Sequence, residues 1–434
     1  MKVFRPIHYL GSKLRLLDVI LGVIDSFCPE GSGVVDIFSG SGVVSKGLSG
    51  RHPVVSVDIQ EYARVIGSAL LLPFLPVKDF SKNDLIETSV YKSLYKTFEP
   101  LIDFEYDALG SIDVSPRDIE ALLDVGPLIV EQSFKKKCIP RLSASVRTTR
   151  ESVKKIRAKY PCTIAEYYGG VYFSYEQAIM LDACLYLLDQ FEPLSRNIFH
   201  AAVLSTASDI ANTVGRQFAQ PVTVKKRDGE FKTNILRKIK RARAVNVGSV
   251  LSAWLEKYNS QEQPRYLNAV IQGDYTNAFP VSPGFQTVYA DPPYTRAHYS
   301  RYYHVLETLA RRDRPTITQS NIPTRFVVSK GVYRNDRVMS EFGIRSKADN
   351  AFNKLFSLCS SNKLNLVLSY SPFCEGVRTS PRIVTVKRLT DLIARYYKKV
   401  EVVSCGTFAH SKLTTVENQL TAPREAEVLI VARI

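Results

Sequence analysis

The sequence is poor in the features that mark metal, disulfide or membrane proteins. Its seven cysteines (Cys28, Cys138, Cys162, Cys184, Cys359, Cys374 and Cys405) are scattered, with no Cys-x-x-Cys pair and no histidine at zinc-ligand spacing. That excludes the familiar zinc modules and predicts reduced, incidental thiols. No apolar run is long enough to cross a bilayer, and Met1–Pro6 carries no apolar signal region, so a cytoplasmic protein with no membrane partner is expected. No internal repeat or low-complexity tract is present. Acidic residues are in deficit: 42 Asp and Glu face 58 Lys and Arg, a formal net charge of +16. Such a balance points to a polyanionic partner, nucleic acid ahead of an anionic membrane surface. The remaining composition, 45% hydrophobic and 23% charged over 434 residues, is that of a globular chain long enough for more than one domain.

What is present begins with strand-and-turn units. Val34–Phe38 reads as a strand running into the glycine turn Ser39-Gly40-Ser41-Gly42 and then a helix. Gly40 and Gly42 allow a tight turn and close approach of a ligand, a feature shared by many nucleotide-like sites. Val54–Val57 reads as the next strand, ending in Asp58, 18 positions after Gly40. A carboxylate there is placed to take both ribose hydroxyls of an adenosine; a helix N-cap is the alternative and the ribose reading is favoured. Upstream, His8-Tyr9-Leu10-Gly11-Ser12-Lys13 leads into a helix with apolar positions at Leu14, Leu16, Leu17, Ile20, Leu21 and Ile24. Ser12 is expected as its N-cap, or the segment as an anion-binding turn.

The α/β pattern resumes late. Val270–Gly273 reads as a strand ending at Asp274, which fits either a turn or an acceptor for the exocyclic amine of an adenine. Val288-Tyr289-Ala290 runs into Asp291-Pro292-Pro293-Tyr294. The two prolines cannot continue a central ladder, so the strand should stop at the acid. A rigid turn then presents a carboxylate, a carbonyl and a flat ring, a set suited to an amino group on a nucleobase. Tyr299, Tyr302, Tyr303, His304 and Leu306–Leu309 suggest a helix along the same cleft, with His304 read as structural for want of an acidic partner. Arg311–Lys347 is basic and loop-rich, long enough to cover a site. Strands over 364–370, 400–404 and 428–431 and a helix over 384–397 complete the segment.

Between these parts, from about Leu75 to Pro264, the sequence reads as mainly helical, for example Gln177–Phe191 and Asn197–Asn212. It carries two basic groups. One comprises Lys135–Lys137, Arg141, Arg147, Arg150, Lys154, Lys155, Arg157 and Lys159. The other comprises Lys225–Arg227, Lys232, Arg237, Lys238, Lys240, Arg241 and Arg243. Such stripes suit a phosphate backbone. Tyr167, Tyr168, Tyr172, Phe173 and Tyr175 lie between them and read as core rather than base-stacking residues. Asn212–Gln217 reads as a polar turn that either lines a groove or ends a helix.

Tyr-Leu-Gly-Ser-Lys, Asp-Ile-Phe-Ser-Gly-Ser-Gly, an acid after the second strand, Gly-Asp and Asp-Pro-Pro-Tyr occur here in that order. Together they resemble the Dam-like DNA adenine-N6 methyltransferases, over roughly residues 7–72 and 265–434. The resemblance implies a Rossmann-like α/β sheet that uses S-adenosyl-L-methionine, with a large, mainly helical insert. It divides the chain into a first methyltransferase part (1–75), an inserted target-recognition region (76–264) and a second, catalytic part (265–434). It implies that Tyr9, Gly11 and Lys13 help hold the methionine end of the cofactor. Asp36, Phe38, Ser39, Gly40 and Gly42 form its turn, Asp58 takes the ribose, and Asp274 lies near its adenine. Asp291, Pro292, Pro293 and Tyr294 form the catalytic loop, which acts on an adenine flipped out of double-stranded DNA without a metal or a covalent enzyme intermediate. A cognate restriction endonuclease fits such a role as a partner. The long insert departs from the family pattern and makes the placement of Asp274 less direct than that of Asp58.

Other readings compete. Cytosine-N4 or RNA adenine methylation keeps the mechanism and changes the target, although Asp at position 291 leans toward adenine. Protein-glutamine methylation leaves the charge unexplained. A nicotinamide-dependent oxidoreductase predicts a third glycine where Ser45 stands and gives Asp-Pro-Pro-Tyr no task. A non-catalytic DNA-binding module predicts damaged cofactor or catalytic residues, and none is evident. The basic balance leads to one prediction: binding to duplex DNA, followed by fluorescence anisotropy, should weaken by about 10³-fold or more between 50 and 200 mM salt if six or more phosphates are neutralised. A flat dependence would remove the basic region from the DNA surface.

Overall fold

The computed structural model describes residues 3–77, 80, 82–110, 115–130, 139–296, 298–322, 325–372, 382–406, 409–410, 420–421 and 427–434. Lys135–Lys137, Cys138 and Cys374 lie outside the described residues. The chain forms two compact units. One comprises Met1–Phe74, Ser260–Ser300 and Val338–Ile434, the other Leu75–Asn259 and Arg301–Arg337.

The first unit is built on a seven-stranded, mostly parallel sheet. Its strands are β1 (Gly33–Ile37), β2 (Val54–Asp58), β3 (Ala269–Gln272), β4 (Phe285–Ala290), β5 (Asn365–Tyr370), β6 (Lys399–Ser404) and β7 (Val428–Arg433). Their order is β3-β2-β1-β4-β5-β7-β6. Valine-rich runs such as Val34-Val35 and Val54-Val55 suit strands with both faces covered. As expected from the proline pair, β4 ends one residue before Asp291.

Side-chain alternation sorts each strand between two faces. Val35 and Ile37 of β1, Val57 of β2, Val288 and Ala290 of β4, and Leu366 and Leu368 of β5 share one core. Helices α4 (Arg345–Ser361) and α5 (Val386–Ile393) add Phe352, Leu355, Phe356, Leu389 and Ile393 to it. The intervening residue Asp36 therefore projects to the other face, where α2 (Val43–Leu48) supplies Ser45 as its donor. Helices α1 (Leu17–Asp25) and α3 (Glu61–Leu71) complete this part.

The register places the functional residues at one edge. Ile37 pairs with both Val57 and Ala290, and Asp58 pairs with Gln272. Phe38, Asp58, Gly273 and Asp291 consequently leave their strands at the same end of the sheet, where ligands bind in open α/β folds. The only antiparallel strand of this sheet is β7, which pairs with β5 so that Val428 faces Tyr370. An antiparallel strand begins where its parallel neighbours finish. Glu427, immediately before β7, is thus delivered to the same edge.

The second unit is largely helical. Its longest helices cover Ser89–Gly110, Pro140–Ile156, Tyr175–Leu187, Pro193–Ile210 and Val247–Asn259. Tyr167, Tyr168, Tyr172, Phe173 and Tyr175 are all buried, in line with the core reading. Residues 301–337, assigned from the sequence to the C-terminal part, group here instead. The physical reason is their packing: His304 is fully buried, with ring centroids 5.7 Å from Tyr168 and 5.8 Å from Tyr172. Burial pushes its pKa down to about 3, which agrees with a structural role.

The basic groups are mixed in character. Arg141, Arg147, Lys154, Lys155, Arg157 and Lys159 are exposed, as are Lys226, Arg227, Arg237, Lys238, Lys240 and Arg241. Two members were misread as surface charge. Arg243 is buried against Glu105 and donates to the Gly170 carbonyl, and Arg150 donates to the carbonyls of Leu128 and Val130. Arg334, in the stretch read as a basic loop, is likewise buried and held by Asp313 and Asp336. That stretch contains a short hairpin, Gln319–Ile322 with Arg325–Val328.

Candidate active site

A cavity of about 1180 Å³, counted to its open mouth, lies at the strand-end edge of the first unit. Tyr9, Gly11, Lys13, Phe38, Asp58, Asp274, Asp291, Pro293 and Tyr294 all line it. Five other predicted site residues do not: Asp36, Ser39, Gly40, Gly42 and Pro292. Asp36 lies inside β1 on the face turned to Ser45, and burial pushes its carboxyl up to about 7. The glycines act behind the wall rather than in it. Gly40 (φ +53°) donates its N–H to Asp58 Oδ2 at 2.8 Å, and Gly42 (φ +71°) leads into α2.

Phe38 itself has φ +66°, an uncommon and strained conformation for a bulky residue. Its ring is held edge-on by Phe342, centroids 5.2 Å apart, and lies 5.5 Å from Tyr275. Tyr9 packs so closely on the turn that a Cβ at Gly40 would stand 2.5 Å from its hydroxyl.

The acids are held differently. Asp58 takes Gly40 N–H on one oxygen and Gln60 N–H on the other, the latter at 2.9 Å. Burial still pushes its carboxyl above the usual range. The residue before α3 is Gln60, so Asp58 is not the helix cap. Asp274 accepts from Thr276 N–H (3.0 Å) and hydroxyl (2.6 Å), closing a short 3₁₀ turn, and also lines the cavity. The two readings of that residue are compatible.

Lys13 is the cation at the centre. Its ammonium is 2.7 Å from Asp291 Oδ2 and 3.2 Å from Glu427 Oε1, and it donates weakly to the Gly11 carbonyl at 3.4 Å. Lys13 and Glu427 are 6% and 4% exposed, so this is a buried cluster. Burial lowers the lysine pKa, but the two carboxylates outweigh it and hold the group well above its usual range. Burial pushes Asp291 up to about 6; Lys13 opposes that and Glu427 adds to it. Ser12 makes no capping bond, contrary to expectation. The chain begins a 3₁₀ turn at Lys13 instead of an α-helix, and Lys13 turns inward to the acids.

Tyr294 is buried on one side. Arg382 stands 4.8 Å from its ring centroid, Tyr370 meets it edge-on at 5.3 Å, and Ile383 N–H donates to its carbonyl. Of the proposed cleft helix, Tyr299 lines the cavity, whereas Tyr302, Tyr303, His304 and Leu306–Leu309 do not. Val338–Phe342, from the end of the basic stretch, do line it. Sequence reasoning missed Glu427, Arg382 and Phe342. An acid directly ahead of an apolar strand was the only signal for Glu427, and nothing local marked the others.

Residues 249–365 match the family model of the D12 class N6 adenine-specific DNA methyltransferases. The resemblance read from the motifs is thereby borne out. The match takes in Asp274 and the Asp291–Tyr294 loop, and it begins after the glycine turn and Asp58. The chain is also similar to the modification methylase LlaI of Lactococcus lactis subsp. lactis, at 25% identity over 391 residues. That alignment covers 90% of this chain and 49% of the relative, so the chain spans about half the relative's length.

The turn geometry predicts a specific weakness. Gly40→Ala places a side chain at positive φ against the Tyr9 ring, and should lower stability by about 1–3 kcal/mol in urea unfolding. An unchanged midpoint would mean that the turn relaxes without cost.

Proposed function

We propose that the protein is a site-specific DNA adenine-N6 methyltransferase using S-adenosyl-L-methionine, acting in a restriction–modification system. The observation that carries this reading is the loop at the end of β4, whose Asp291, Pro293 and Tyr294 line the same cavity as Asp58 and Asp274. The family match supports adenine as the target, and the relative's name, a modification methylase, supports the biological setting.

The lining fits a cationic, hydroxyl-bearing donor. Asp58, Asp274, Asp291 and Glu341 contribute acids, while Lys13, already engaged by two carboxylates, is the lining cation among the described residues. A dinucleotide pyrophosphate would meet net negative charge there, which speaks against a nicotinamide enzyme. When bound, S-adenosylmethionine supplies an electrophilic methyl group. Asp58 is suited to the ribose hydroxyls and Asp274 to the adenine amine of that cofactor. The target adenine must leave the duplex before its amine can be reached. Asp291 and the Pro292 carbonyl would accept hydrogen bonds from the amine and aim the nitrogen lone pair, with Tyr294 supporting the base, and the methylated nitrogen would then release one of its hydrogens as a proton. Both prolines stiffen the loop, so the rate derives chiefly from positioning. The exposed bases on the helical unit support its assignment as the target-recognition region of an inserted domain.

The test is incubation with tritiated S-adenosylmethionine and unmethylated DNA, followed by nucleoside analysis. Label in N6-methyladenine is expected. Label in N4-methylcytosine would change the target, and label in RNA alone would change the substrate. Asp291→Ala should reduce transfer to background while cofactor affinity, measured by calorimetry, stays within a few-fold. Wild-type-like turnover by that variant would overturn the catalytic assignment.

A further inference from the structure

The buried cluster at Lys13 contains two carboxylates and one ammonium, so it is not neutral as an ion pair would be. Lys13 comes from the segment before α1, Asp291 from just after β4, and Glu427 from just before β7. The Glu427 carboxylate is not loose: Ser369 Oγ on β5 donates to its Oε1 at 2.8 Å, and both residues are buried. A lysine paired to Asp291 alone would neutralise it and weaken it as an acceptor. A second fixed carboxylate takes part of the ammonium's field and prevents that.

We propose that Glu427 is a positioning residue for the proposed methyl transfer: by sharing Lys13 with Asp291, it fixes the ammonium and leaves Asp291 a stronger hydrogen-bond acceptor for the substrate amine. The inference rests on the methyltransferase reading. It adds a residue just ahead of the last strand that the family match, ending at residue 365, does not reach.

Other groups face or surround Asp291. Asp36 on β1 and Tyr289 on β4 feel its charge, as do Tyr294 in the loop and Tyr299 beyond it. Arg382 stands beside Tyr294. Of these, Tyr294 also meets the Lys13 ammonium, its ring centroid 5.8 Å away, but among the described contacts only Glu427 shares Lys13 with Asp291 as a second carboxylate. Asp291 is pushed up to about 6. Because the carboxylate is the acceptor form, transfer should fall as pH drops through that value.

The experiment is the pH profile of single-turnover methyl transfer by the full chain, with cofactor binding measured in parallel. Glu427→Gln keeps the shape and the oxygen that accepts from Ser369 but removes the charge. Its acid limb should move down by about one pH unit and its plateau rate should fall about tenfold, with cofactor affinity within a few-fold. Glu427→Asp keeps the charge and should return the limb toward the wild-type position. Ser369→Ala strips the Glu427 carboxylate of its donor and should move the limb the other way, to higher pH, which keeps the idea testable if the glutamine variant does not fold. A merely structural role would lower rate or stability and leave the limb in place. An unmoved limb in both Glu427→Gln and Ser369→Ala would overturn the inference while leaving the methyltransferase reading intact. A wild-type chain that transfers no methyl group at any pH would overturn that reading, and this inference with it.

Discussion

A buried lysine joins three distant parts of the chain. Lys13 comes from the first turn after the N-terminal loop, Asp291 from the proline-stiffened end of β4, and Glu427 from the residue before β7. Removing one partner of such a cluster leaves an uncompensated buried charge, which costs several kcal/mol. The position of the Asp291 loop, the inward turn of Lys13 and the placement of the last strand therefore depend on one another. The failure of Ser12 to cap its helix has the same origin, since the chain there is committed to sending the next side chain inward.

Charge also decides what the cavity can accept. Among the charged residues described in its lining acids outnumber bases, and Lys13 is shared between two carboxylates. The arrangement suits a positively charged, hydroxyl-rich ligand and a neutral base with hydrogens to donate. Elsewhere the same chain is strongly basic, and the exposed members of the two basic groups read from the sequence lie on the other unit. The acidic character is thus local to the cavity of the first unit, while the two basic groups give the second unit a surface suited to phosphates. Not every base contributes to that surface. Arg150, Arg243 and Arg334 are spent on carbonyls and carboxylates within the fold, where they hold loops and helices together.

Backbone restriction and local turn chemistry made much of the sheet legible. Two adjacent prolines cannot continue the ladder of a central strand, so the end of β4 could be placed from Pro292 and Pro293. Valine runs marked β1 and β2, and the glycines marked the turn between β1 and α2. Phe38, Asp58, Asp274 and Asp291 could be assigned to one edge because parallel strands share a direction. The aromatic cluster around Tyr168 and the structural role of His304 were legible for a similar reason, since burial follows side-chain chemistry.

Local pattern alone did not distinguish the wall of the cavity from its support. Asp36 and the glycines of the turn looked like lining residues, but alternation turns Asp36 to the opposite face and Gly40 spends its N–H on Asp58. Nor did it separate Arg243 from the exposed bases of its helix, because a charge run does not reveal which member meets a buried glutamate. By itself, the sequence determined where strands end, where the backbone turns, and which chemistry those ends carry. The tertiary structure alone decided the partnership of Lys13 with Glu427. That contact exists because β7 enters the sheet antiparallel between β5 and β6, and only such a strand starts at the edge where the others finish.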